Sequence, residues 1–188
     1  MDSLATEFNW RRPASFFQVA WSASRHPLAF FRALPQQGDL APPLIFLLVL
    51  QALPFLAVLI KGQPLPVAAV NFLNNLARSL LFAAVFYVSG RFIMRSSLSL
   101  AGFLRVYAYA GGIWVLAVLL PFLPNAVALP LATVLLLYVL ILLFLGLRLT
   151  AGLSVPLAAG VLVISIVALA LLLSLLGPAQ PVPPRGGG

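Results

Sequence analysis

Ala101-Gly102-Phe103-Leu104-Arg105-Val106-Tyr107-Ala108-Tyr109-Ala110-Gly111-Gly112 opens an apolar run that continues through Ile113-Trp114-Val115-Leu116-Ala117-Val118-Leu119-Leu120. About 20 residues rising roughly 1.5 Å each cover the hydrocarbon core of a bilayer, so the run reads as a membrane-crossing helix. Its entrance carries Arg105, Tyr107 and Tyr109, residue types that sit at headgroup level when they lie at the end of a span. Ala108 and Gly112 are spaced by one helical turn, so they share a face and let a neighbouring backbone approach closely; Gly111 adds a second small residue beside them. Tyr107 and Tyr109 project to different sides, so at most one of them joins any given site.

Four further runs of this kind surround the first. They read as spans over about 42–60, 67–90, 126–147 and 153–177, with the quoted run as the third, at about 102–123. The fold class is therefore an all-α membrane protein, a bundle of five transmembrane helices. A soluble domain is excluded by composition, because 63% of the 188 residues are hydrophobic and 7% charged, which leaves no polar surface for water. Pro54 sits inside the first span as a kink. Lys61-Gly62-Gln63-Pro64-Leu65-Pro66 and Leu123-Pro124-Asn125 are turns, and Arg91, Arg95, Ser96, Ser97 and Ser99 form a polar loop.

Residues 1–38 form an amphipathic N-terminal segment with no signal-peptide pattern. Two short helices are expected there, opened by Pro13 and Pro27, which suit a first helical turn. Phe17 and Trp21 fall on one face, as do Leu28 and Phe31, while Arg12, Arg25 and Arg32 reach toward headgroup phosphates. The segment either lies on lipid in this way or packs on the spans as a lid. Residues 178–188 are rich in proline and glycine, and the composition predicts a disordered tail.

The net charge of +8 comes from basic residues scattered singly between apolar runs. They make no patch for nucleic acid, and topology accounts for them better. With the amino terminus in the cytoplasm, the inner segments hold Arg11, Arg12, Arg25, Arg32, Arg91, Arg95, Arg105 and Arg148, and the outer ones only Lys61 and Arg185. Five spans then put the carboxyl terminus outside. All three carboxylates, Asp2, Glu7 and Asp39, precede the first span. No carboxylate dyad, metal cage or proton relay can be built among the spans, and the absence of cysteine removes thiolate chemistry as well. His26 has no partner for a triad or a metal set, and no phosphate loop, nucleophile elbow or zinc-helix motif is present. The reading is non-enzymatic, with no cofactor and no metal.

One polar constellation lies within a span. Asn71, Asn75 and Arg78 are spaced i, i+4, i+7 along the second run and make one stripe, with Asn74 and Ser79 beside them. An arginine at that depth costs several kcal/mol unless it is paired, hydrated or able to snorkel. Either it forms an anion, headgroup or water-lined site facing the bundle, or it bonds to backbone carbonyls and Asn side chains and holds the bundle together.

Three stretches carry a family resemblance. Pro27-Leu28-Ala29-Phe30-Phe31-Arg32-Ala33-Leu34-Pro35 leads into Pro43-Leu44-Ile45-Phe46; Arg105-Val106-Tyr107-Ala108-Tyr109-Ala110 opens the third span; and Tyr138 with Leu145-Gly146-Leu147 closes the fourth. Together they resemble the bacterial branch of the Yip1-domain family, over nearly the whole chain. Members usually carry a proline shortly after the tyrosine pair, where this chain has Gly111-Gly112. The resemblance implies a five-span domain with a cytoplasmic amino terminus, placed in a bacterial inner membrane. In eukaryotic relatives it implies association with prenylated Rab-type GTPases, but no GTPase-binding motif is present and that partner is not carried over. The expected partners are the lipid bilayer and other membrane proteins or further copies of the chain. The expected function is a scaffold or membrane-organising role; the alternative is a small transporter or channel for an anionic or lipid-like solute, with Arg78 as the recognising charge.

Overall fold

The computed structural model describes residues 7–93, 95 and 97–176. The tail at 178–188, Asp2 and Ser96 lie outside the described residues. Seven α-helices appear in order among them: α1 (Ala14–Arg25), α2 (Pro27–Arg32), α3 (Ala41–Ile60), α4 (Leu65–Val88), α5 (Leu100–Ala110), α6 (Asn125–Thr150) and α7 (Val155–Leu176). Two of them run on in a different winding. A π-helical turn, Ser89–Ile93, extends α4, and a 3₁₀ segment, Gly111–Phe122, extends α5. Five of these helical stretches are long and apolar enough to cross a membrane.

Local sequence explains the starts. Pro13 caps α1, and α2, α3 and α4 each place proline in the first turn, where the missing N–H has no helical partner to lose. Ser99 caps α5, its hydroxyl accepting from the Gly102 N–H at 3.1 Å. The turn after α3 relies on Gly62 at φ +89°, and the Lys61 ammonium donates to the Pro121 carbonyl, which ties the C-terminal ends of the first and third spans.

The third span is the hub. Half of its most apolar window is buried inside the bundle, against 17–28% for the other four. Every residue of α5 from Ala101 to Ala110 except Tyr107 is buried, with α3, α4, α6 and α1 packed around it. Beyond Ala110 the winding tightens, so side chains recur every third residue. Ala117 is buried and Trp114 packs half-buried against the core, whereas Leu116, Leu119 and Phe122 stand between 42% and 51% exposed along the other edge. A 3₁₀ residue rises about 2.0 Å, so twelve of them cover roughly 24 Å where an α-helix would cover about 18 Å. No proline marks the change; it begins at Gly111.

The two N-terminal helices lie against the bundle rather than apart from it. Ser15, Phe16, Val19, Ala20 and Ala23 give α1 a buried stripe, and α2 buries Phe30 and Phe31 against α6. The Thr150 hydroxyl donates to the Phe31 carbonyl at 2.8 Å and the Gln36 amide to the Thr150 carbonyl at 2.8 Å, which pins α2 to the end of the fourth span. Close approach here depends on glycine. A Cβ on Gly146 would sit 2.5 Å from Val106 Cγ1 and 3.2 Å from the Phe31 ring. Gly146→Ala is expected to overpack this junction and cost about 1–3 kcal/mol in thermal unfolding of the detergent-solubilised protein. Adding Val106→Ala should recover part of the loss, and an unchanged melting temperature in the single variant contradicts the tight contact.

Candidate functional site

At the entrance of the third span, Arg105 is 1% exposed. Its Nε and Nη2 donate to Glu7 Oε1 at 2.9 and 2.6 Å, and Nη2 also donates to the Asp39 carbonyl at 3.0 Å. The guanidinium thus sits beneath the N-terminal segment around Glu7 and is not open to headgroups as the sequence reading has it. Nη1 is buried with no hydrogen-bond partner among the described residues. Gly38, at φ +120°, comes so close that a Cβ there would meet Nη2 at 3.2 Å. A charge-assisted pair of this kind is stronger than a neutral hydrogen bond, and the low-dielectric surroundings raise its weight.

Tyr109, one turn further, is fully buried, and its hydroxyl accepts from the Phe8 N–H at 3.3 Å. Its ring meets Phe46 edge-on at 5.0 Å and Phe30 at 5.9 Å, so it fills the core where α1, α2 and α3 meet α5. Tyr107 does project to the other side. It packs on Phe82 and Phe86, and its hydroxyl lies 2.7 Å from that of Ser79, to which Gln51 Nε2 donates at 3.3 Å. Neither tyrosine is an interfacial anchor. Ala108 is fully buried, Gly112 is buried against the backbone of α1, with Ala20 Cα 2.9 Å from where its Cβ would be, and Gly111 faces Leu50. The close neighbour of the small-residue face is thus α1.

The polar residues of the second span separate. Ser79 turns inward to Tyr107 and Gln51, while Asn71, Asn74, Asn75 and Arg78 are all exposed on the outer face of α4. Both sequence readings direct Arg78 toward the bundle, and the structure turns it away from it. Cavities are found elsewhere in the bundle. A groove of about 730 Å³ runs between α1, the 3₁₀ segment and Tyr138, and a pocket of about 160 Å³ adjoins Gln51, Ser79 and Trp114.

Among the N-terminal residues, Phe17 and Trp21 are 61% and 62% exposed, and the Arg25 guanidinium stands over the Trp21 ring, 5.3 Å from its centroid. Arg12 and Arg32 are exposed, whereas Phe31 is buried against α6 and cannot touch lipid. The carbonyl of Ser24 accepts from the Tyr138 hydroxyl, which fixes the end of α1 to the fourth span. Sequence reasoning missed Glu7, Phe8, Gln36, Gln51 and Thr150 as structural partners. For Glu7 a signal existed, since a chain with three carboxylates and a charged residue in its most buried helix has few candidates to pair it.

Glu7→Gln keeps the side chain's size but leaves Arg105 buried without its counter-charge. Because the Glu7 side chain is 36% exposed, water offsets part of the loss, and a destabilisation of about 1 kcal/mol is expected. Trypsin should also cut faster after Arg11 as the N-terminal segment loosens; equal cleavage of variant and parent means that the pair does not hold the segment.

No curated protein and no solved structure matches the chain. The Yip1 domain matches over residues 21–177, from within α1 through α7. The chain therefore belongs to the Yip1-domain family.

Proposed function

We propose that this integral membrane protein is a non-enzymatic scaffold that organises other membrane proteins. The observation that carries the reading is the outward turn of Asn71, Asn74, Asn75 and Arg78 on a helix long enough to span the bilayer. A solute-recognising charge faces a cavity, and the three cavities at α1, at the Lys61 turn and at Gln51 are lined by other residues. A scaffold instead presents its polar side chains to the neighbour it holds. The exposed Phe17 and Trp21 on α1, with Arg25 beside the indole, add an amphipathic edge suited to the bilayer interface.

The orientation we infer has the amino terminus in the cytoplasm and the carboxyl terminus outside, in a bacterial inner membrane. The support is the bias of Arg and Lys toward one set of loops. Reporter fusions after Arg95 and Arg148 should report cytoplasm and one after Lys61 should not; the opposite pattern reverses the bundle.

The scaffold reading is tested on native membranes solubilised in mild detergent, together with proteoliposomes of the purified chain. The expected outcome is a complex larger than the detergent-bound chain, and chloride and phosphate fluxes equal to those of protein-free vesicles. Flux above that background that Arg78→Leu removes establishes transport and overturns the scaffold.

A further inference from the structure

The polar face of α4 is the largest unpaired element of the bundle at membrane depth. Asn71, Asn74, Asn75 and Arg78 make no hydrogen bond or ion pair to any described residue, and all four are exposed. The position of Arg78 follows from its place in the helix, thirteen residues after Leu65. At about 1.5 Å per residue this is roughly 20 Å from the outer end, two-thirds of the way across a hydrocarbon core of about 30 Å. The nearer headgroups are then about 10 Å away, beyond the roughly 6–7 Å that an arginine side chain extends. A guanidinium and three amides left in hydrocarbon are costly, so the face must be covered.

We propose that this face docks a membrane-spanning helix of a different protein, one that carries an aspartate or glutamate at the depth of Arg78. The inference rests on the scaffold reading and names the chemistry of its partner. A second copy of the chain does not fit. A two-fold dimer in a membrane has its axis along the membrane normal and brings equal depths together, which sets Arg78 against Arg78. A second copy also brings no acid, because Asp2, Glu7 and Asp39 all precede the first span. A foreign carboxylate at this depth removes two desolvation costs at once and accepts two of the guanidinium's donors in parallel. Asn71, Asn74 and Asn75 each offer both a donor and an acceptor to the same helix, which sets its rotation and height. Ala77 and Val70, both exposed beside the stripe, give it a small and an apolar flank to pack on.

The test places the full-length chain, labelled with a fluorescent donor, in phosphatidylcholine vesicles. The probe is an acceptor-labelled polyleucine peptide that spans the bilayer and carries one glutamate at the depth of Arg78. Identical peptides with leucine or glutamine at that position serve as comparison. The glutamate peptide should associate about ten-fold more tightly than the leucine peptide, as expected when a lone intramembrane charge gains a partner. Arg78→Leu should abolish the difference and Arg78→Lys should retain part of it. The comparison between peptides needs no variant, so it stands even where a substitution impairs folding.

Equal association of the three peptides overturns the proposal, as does a preference that survives Arg78→Leu. Two other occupants are also read out. Energy transfer between labelled copies of the chain that Arg78→Leu removes identifies a second copy, and loss of the glutamate preference on adding phosphatidylglycerol identifies a lipid headgroup; either result overturns the docking of an acidic helix. If native membranes hold the larger complex while the peptides show no preference, the scaffold stands and only this assignment of its surface falls.

Discussion

Taking a guanidinium out of water costs several kcal/mol unless a carboxylate and further acceptors replace the hydration, and Arg105 imposes that requirement at the centre of the bundle. The requirement is met from two distant parts of the chain. Glu7 comes from the irregular N-terminal segment and the Asp39 carbonyl from the residues before α3, so one side chain of α5 gathers both against the hub. Phe8, next to Glu7, then places its N–H on the Tyr109 hydroxyl and its ring 5.8 Å from Phe46. The N-terminal segment, the start of the first span and the aromatic core around Tyr109 therefore meet at this pairing. Water remains in contact with Glu7 but not with Arg105, which gives the arrangement a wet edge and a dry centre.

The five spans are legible in the sequence because crossing a bilayer demands length and apolarity, and both are local properties. The same demand hides the interior. Lipid is as apolar as leucine, so a phenylalanine written for the core looks like one written for lipid. Phe17 and Phe31 illustrate it: both read as membrane-facing, yet one is 61% exposed and the other fully buried. The difference comes from Gly146, whose missing Cβ admits the Phe31 ring to α6, more than a hundred residues away in sequence. Tyr109 escaped the reading for a similar reason. A tyrosine near the end of a span is usually an anchor, and the N-terminal segment folded over it, with Phe30 and Phe46 on its ring, makes it a core residue.

The polar stripe of the second span was legible as a stripe, since the i, i+4, i+7 spacing is a property of the helix alone. Its direction was not. Ser79 and Arg78 are neighbours in sequence and turn to opposite sides, and which of them faces inward depends on Tyr107 and Gln51 in other helices. The 3₁₀ winding after Ala110 is likewise invisible in a run where every side chain is small or apolar. Gly111 starts a segment that gains length by tightening.

Arg105 and Arg78 carry the same charge in neighbouring spans and meet opposite fates, and the scarcity of acids explains both. Of the two carboxylates among the described residues, Glu7 reaches Arg105, and Asp39 turns its side chain to the Ala41 N–H at the start of α3. None is left within reach of α4. The hub is therefore electrically complete within one chain, and the outer face of the second span is not. On the docking proposed for α4, a fixed cation with no counter-charge among the described residues, nor by symmetry from a copy of them, would make the bundle one part of a larger charge-balanced assembly.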